Sequence, residues 1–196
     1  MPYLNKTVSL PEPVDCRILT AALDLFVEHG FHNVSVHDVQ KQANVSIGSI
    51  YNHFGGKEGI AKALYKHLLN EFQEMIDSVI SETRSSRECC NRIIARLFEY
   101  TETRRNIMAF LLHTKHREFL SGEPPLCHSS PFAAMRKIVA DGMAANEIRS
   151  GDPWVMTASI FGGAIRLIHL RLDGVIDQPL PGYYQQVIDN IWKGMA

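Results

Sequence analysis

A chain of 196 residues and 22.1 kDa is long enough to bury roughly 70% of the surface its unfolded form exposes, in one or two domains. With 45% hydrophobic and 21% charged residues its composition is neither disordered nor membranous, and no uninterrupted apolar run approaches the ~20 residues of a spanning helix. Twenty Lys and Arg against 21 Asp and Glu leave a formal charge of −1, which excludes a generally polycationic surface; any contact with nucleic acid has to be local.

The opening MPYLNKTVSLPEP carries Pro2, Pro11 and Pro13, little patterning and no basic start followed by an apolar core, so residues 1–14 are expected to form a mobile arm and the protein to stay in the cytoplasm. From Asp15 the chain becomes periodic. Ile18, Ala21, Ala22, Leu25 and Phe26 share one helical face, and Gly30 ends it. Ser35 reads as an N-cap with Asp38 reaching back to it, and Val34 and Val39 as the staple around that cap. The short helix that follows, Val36 to about Gln42, stops at Asn44, a residue that tolerates the left-handed conformation. Ser46 caps a third helix, with Val45 and Ile50 repeating the staple. Ile50 and Phe54 dock it, leaving Ile47, Gly48, Ser49, Asn52 and His53 outward. Gly55 and Gly56 break it before a long helix opens at Lys57 and runs through Ile60, Leu64, Leu68, Phe72, Met75 and Val79.

Two short helices joined by a tight turn, a supporting first helix and a long fourth one make a helix-turn-helix. The run ALDLFVEHGFHNVSVHDVQKQANVSIGSIYNHFGGKEGIAKALY, residues 22 to 65, resembles the TetR family of bacterial transcription regulators in its A..LF...G, its cap before the second helix, its A.V S.G..Y.HF and its KE opening the fourth helix. Asn44, Ile47 and Gly56 depart from the family pattern, so an operator sequence cannot be borrowed from a relative. The resemblance implies an all-α fold: a helix-turn-helix DNA-binding domain over 15–56, a connecting helix over 57–80, and an effector-binding and dimerisation domain over 81–196. It implies phosphate contacts from Tyr51 and Lys57 and groove contacts from Ile47, Ser49, Asn52 and His53. Independently, the helix starts at Ser35, Ser46 and Lys57 suit phosphate, and Gly48 lets the backbone approach the duplex. For Tyr51, packing in the small core stands open beside a phosphate role. Between Asp15 and Lys66 the cations Arg17, Lys41, Lys57, Lys62 and Lys66 cancel against Asp15, Asp24, Glu28, Asp38 and Glu58, which predicts a modest salt dependence of DNA binding.

Beyond Ser81 the pattern stays helical: Arg87 to Glu102 with Ile93, Ile94, Leu97, Phe98 and Thr101 inward, Arg104 to Phe119, a loop over Ser121 to Ser130, and a helix opened by Pro131 that runs to about Asn146. Asp152 and Pro153 start a helix, Trp154 to Leu172, that is apolar around much of its circumference. A last helix carries Tyr184, Val187, Ile188, Ile191, Trp192 and Met195. The resemblance implies that these last two helices pair with their copies in a homodimer. Ala158, Gly162, Ile165, Tyr184, Ile188 and Trp192 are expected at that interface, with Gly163 and Ala164 also permitting close approach. It also implies a small-molecule effector, of unknown identity, in a cavity whose lining is expected to include Phe110, His113, Phe132, Met135, Arg166 and His169. The partners expected are therefore an operator duplex, an effector and a second copy, with no membrane, no cofactor, no metal and no catalytic residue. The function expected is that of a repressor released from a palindromic operator. Two alternatives stand beside it: a DNA-binding protein without an effector, and a metal-dependent helical enzyme built on His113, His116 and Glu118. The four cysteines, Cys16, Cys89, Cys90 and Cys127, have no C-x-x-C spacing; they read as free thiols, with a redox role for Cys89 and Cys90 as the rival.

Overall fold

The structure is a computed structural model that describes residues 13–114, 116, 119, 120, 122, 123 and 125–194. The expected arm lies outside these residues except at its last two positions, and so do Met195 and Glu118. The described residues form α-helices and short 3-10 turns, with no strand: α1 Val14–His29, α2 Val36–Ala43, α3 Ile47–Phe54, α4 Lys57–Glu82, α5 Ser86–Thr103, α6 Arg105–His113, α7 Ser130–Ala144, α8 Pro153–Leu172 and α9 Tyr184–Gly194. The chain divides into two compact units, one comprising residues 1–71 with 109–125 and the other residues 72–108 with 126–196.

In the first unit, α1 packs on α2 and α3 through the expected face: Ile18, Ala21, Ala22, Leu25 and Phe26 are all buried, and Val39, Ala43 and Ile50 close the core from the other side. α1 ends at Gly30 (φ 78°), where the chain turns through a 3-10 segment, Phe31–Asn33. α4 starts hard against the end of α3. A methyl group at Gly59 would sit 1.7 Å from the Phe54 carbonyl oxygen, so only glycine allows this junction. The chain after α6 belongs to the same unit. The expected helix through Phe119 is shorter than its pattern suggests: α6 stops at His113, and the chain turns so that Phe119 stacks on Phe31 (ring centroids 4.1 Å, 14°) and His116 lies against Tyr65 (4.6 Å) and Phe110 (5.2 Å). One straight helix could not present all of these to their partners. Burial in this aromatic setting pushes the His116 imidazole down to about 4, and its Nε2 has no partner.

In the second unit α5, α7 and α8 pack on one another, and α9 lies on α5 and α8. Ile93, Ile94, Leu97, Phe98 and Thr101 are buried as expected. Asp152 caps α8, accepting from the Trp154 and Val155 N–H groups at 2.9 and 3.1 Å, with Pro153 in the first turn. Glu102 ties three segments together. It accepts two bonds from Arg171 (Nε 3.0 Å, Nη2 2.9 Å) and one from the Leu180 N–H (3.0 Å), and the Arg171 guanidinium beside it holds its carboxyl below the usual carboxylate range.

Within Pro153–Leu172 an 18-residue window has a mean hydropathy of 1.3, so by length and composition one helix among the described residues is apolar enough to cross a bilayer, a test that the core helix of a folded protein also passes. Counting uninterrupted apolar runs hides this, because Thr157, Ser159 and the two glycines break the run without adding charge and the cations gather in the last two turns.

Candidate DNA-binding head

The short helices α2 and α3 owe their starts to serines. At α2 the cap is closed on itself: the Asp38 N–H donates to Ser35 Oγ (3.2 Å), while Asp38 Oδ2 accepts from the Ser35 N–H (2.8 Å) and from its hydroxyl (2.6 Å). These bonds hold the Asp38 carboxyl below its ordinary value, so a full negative charge sits at this helix start. At α3 the Ser49 N–H donates to Ser46 Oγ (3.1 Å) and the two hydroxyls lie 2.8 Å apart, with no acid among them. The turn between the helices is held by Asn44 in the left-handed region (φ 52°), by Gln40 Nε2 donating to the Val45 carbonyl (2.8 Å) and by Arg17 Nη1 donating to the Asn44 carbonyl (3.2 Å).

Ile50 is buried and Phe54 half-buried, so α3 docks through them and presents the rest. Ile47 (36% exposed), Gly48, Asn52 and His53 are exposed and Ser49 is half-buried. Tyr51 is 55% exposed, which removes core packing as its role; its ring lies along Gly56. A side chain at Gly48 would meet only Ser46 Oγ, at 3.8 Å. The chain's own packing therefore does not require glycine there, and the backbone is left open to an approaching surface. Lys57 is less free than the sequence suggests. Its Nζ donates to the Phe31 carbonyl (2.9 Å) and sits 4.3 Å over the Phe31 ring, which is itself stacked on Phe119. Sequence reading missed this clamp, because nothing in the local pattern links Phe119 to Phe31.

The residues expected around an effector fall in both units. Phe110 is buried and His113 exposed in the first. In the second, α7 carries buried Met135 and half-buried Phe132, whose ring lies 6.3 Å from Phe72. α8 carries exposed Arg166 and half-buried His169, whose Nδ1 lies 2.8 Å from the Ile165 carbonyl oxygen. Of the expected dimer face, Ala158 is exposed and Gly162, Ile165 and Tyr184 are half-buried. Ile188 and Trp192 point the other way and are buried within the chain: the Trp192 indole N–H donates to Asn91 Oδ1 (2.7 Å) and the Arg87 guanidinium covers its ring at 4.6 Å. The helical period of α9 marks an apolar face without saying that its partner is α5. Around α8, Trp154 (49%) and Val155 (61%) are exposed, and a side chain at Gly162 or Gly163 would meet nothing within 4 Å.

Cys16, Cys89 and Cys90 are buried and form no disulfide, and burial pushes Cys90 up to about 12, where a thiolate does not form near neutrality. Among the described residues no three His, Cys, Asp or Glu side chains group as metal ligands.

A capped helix pair with an exposed second helix, set on a supporting helix and followed by a larger helical unit, defines a helix-turn-helix DNA-binding transcription regulator. Comparison with known proteins agrees. The profile of the bacterial regulatory proteins of the tetR family matches residues 18–64. The fatty acid metabolism regulator protein of Bacillus subtilis is 27% identical over 161 residues, covering 76% of this chain and 79% of that protein. Two solved structures share the fold: the fatty acid degradation regulator FadR from Bacillus halodurans (TM-score 0.80, 18% identity, 93% of this chain and 96% of that one) and FadR from Bacillus subtilis in complex with stearoyl-CoA (TM-score 0.76, 22% identity, 92% and 98%). Residues 18–64 thus carry the DNA-binding region typical of the TetR family of transcriptional regulators.

Proposed function

We propose that the protein is a homodimeric, ligand-responsive repressor that leaves a near-palindromic operator when a long-chain acyl-CoA binds its second unit. The observation that carries the effector class is the similarity to the Bacillus subtilis fatty acid metabolism regulator, which extends well beyond the DNA-binding head to 76% of the chain. A neighbour in fold holds stearoyl-CoA, and that ligand class suits a unit built from apolar helices. Phe132 and Met135 of α7 are the proposed contacts in that unit; Phe110 and His113 belong to the first unit, and Arg166 and His169 share the α8 face of Gly162 and Ile165.

The dimer reading rests on α8. Two adjacent glycines inside a helix each weaken it by about 1 kcal/mol relative to alanine, and the chain's own packing gives them no neighbour. A second copy laid along Ala158, Gly162 and Ile165, with Tyr184 beside them, supplies that neighbour and covers the exposed apolar surface of α8. Two heads then meet one duplex about one turn apart or a multiple of it. Each head is proposed to use Ser46, Ile47, Gly48, Ser49, Tyr51, Asn52, His53 and Lys57, with Ser35 committed to its own cap. The same reading places the protein in the cytoplasm, with no catalytic role.

The test is selection of genomic fragments on the purified protein, followed by titration of the bound complex with oleoyl-CoA, with oleate and with free CoA. Release by oleoyl-CoA alone supports the reading. Release by oleate alone, or by none of the three, removes the acyl-CoA, while failure to select any fragment removes the operator.

A further inference from the structure

The head engages DNA with few free cations. Of its five Lys and Arg between residues 15 and 66, Arg17 is held by the Asn44 carbonyl, Lys57 by Phe31 and Lys62 by Glu123 (3.2 Å), which leaves Lys41 and Lys66 exposed. The same stretch holds four exposed histidines, His29, His32, His37 and His53. Two of them stand on the paired helices. His37 is in the first turn of α2, next to the Asp38 carboxylate, and His53 is in the last turn of α3, next to Asn52 on the exposed surface. The start of α2 therefore offers phosphate a carboxylate with an imidazole beside it. Protonating His37 cancels that charge.

We infer that DNA binding by this head is coupled to proton uptake, with His37 and His53 acting as phosphate ligands that lysine or arginine would otherwise supply. The inference rests on the DNA-binding reading of the head. Phosphate stabilises the imidazolium, so each imidazole binds its proton more tightly on DNA than free, and affinity rises as pH falls through the imidazole range. The surrounding charges are mixed. The other charged groups of α2 are Asp38 and Lys41. α1, which packs on α2 and α3, carries Asp15, Arg17, Asp24, Glu28 and His29. The 3-10 turn before α2 brings His32, and the start of α4 brings Lys57 and Glu58. Glu28 lies 3.8 Å from His29 and so answers that imidazole within the chain, which is why His29 is left out of the proposed set.

The probe is a fluorescent mixed-sequence DNA duplex, whose binding reads phosphate contacts alone, titrated by anisotropy at pH 6 and pH 8 over a range of salt. The wild type is expected to bind about tenfold tighter at pH 6, with a log–log salt slope steeper by about 0.9 for each imidazole that gains a proton against phosphate. H37Q combined with H53Q is expected to lose most of the gain in affinity between pH 8 and pH 6, while H29Q combined with H32Q keeps it. All four side chains are exposed, and circular dichroism confirms that the variants fold. Equal affinity at the two pH values, or a pH dependence that survives H37Q/H53Q intact, overturns the inference and leaves the DNA-binding reading standing. No binding at either pH overturns both.

Discussion

The helices α2 and α3 have the same length and the same cap residue, yet their N-termini are chemically opposite. Ser35 is locked into a reciprocal box with Asp38, which satisfies the helix start from within and fills it with negative charge. Ser46 accepts one N–H, has only a second hydroxyl for company and leaves the start of α3 electrically positive. A single residue, the third of each helix, makes the difference: Asp38 in one and Ser49 in the other. The closed cap is a stability device that opposes phosphate, whereas the open one is suited to take it. Shared hydrogen-bonding capacity therefore does not make Ser35 and Ser46 equal partners for DNA, although sequence pattern ranks them together.

The strongest way to break this comparison is to close the open cap. S49D recreates at α3 the box found at α2. Like charges forced together at an interface cost several kcal/mol, so DNA affinity is expected to fall about a hundredfold or more in an anisotropy titration. The melting temperature should hold or rise by a degree or two, because a capping box and an acid in the first turn both favour the helix. A variant that folds and binds like the wild type would show that phosphate does not approach the start of α3.

The reverse exchange sharpens the comparison with a smaller effect. D38S makes α2 resemble α3 and removes one exposed, solvent-screened charge from the approach to phosphate. Affinity at neutral pH is expected to rise about fivefold in the same titration, and the cap should weaken slightly. Unchanged affinity would place the start of α2 away from the duplex.

Stability alone distinguishes the two serines more modestly. Truncating an N-cap costs about 1 kcal/mol, so S35A and S46A should each lower the melting temperature by about 2–4 °C. DNA affinity should fall clearly only for S46A. Equal losses of affinity would mean that both caps act in the same way.

Much of this head is legible in the sequence because its determinants are local. The two caps, the left-handed Asn44, the glycines after Phe54 and the inward face of α1 each declare themselves within a few residues. The capping box can even be told from the open cap by reading Asp38 against Ser49. What the sequence conceals is the choice of partner. Periodicity marks Ile188 and Trp192 as one apolar face, and only the fold shows that this face is consumed inside the chain, beside Asn91 and Arg87. Phe119 looks like the end of a helix and instead stacks on Phe31, which in turn holds the Lys57 expected to be free for phosphate. The Glu102–Arg171 tie joins residues whose proximity no local pattern encodes.

The same contrast between a carboxylate cap and a hydroxyl cap has an acid signature, the smallest effect expected here. The Asp38 carboxyl is held below its ordinary value by the Ser35 hydroxyl and N–H. A group depressed in the folded state contributes stability that is present above its unfolded value, near 3.8, and is lost as pH falls through the lower folded value. The Ser46 cap contains nothing that titrates. Hydrogen exchange followed residue by residue should therefore show amides at the start of α2 losing protection, relative to those at the start of α3, only below about pH 4. His116 adds a separate background at higher pH. An imidazole pushed down to about 4 withdraws stability between about 6.5 and 4 as the unfolded chain takes up the proton first. In H116F that background should disappear from the unit as a whole, while the difference between the two helix starts persists. If the difference vanishes along with the background, it belongs to His116 and not to the cap.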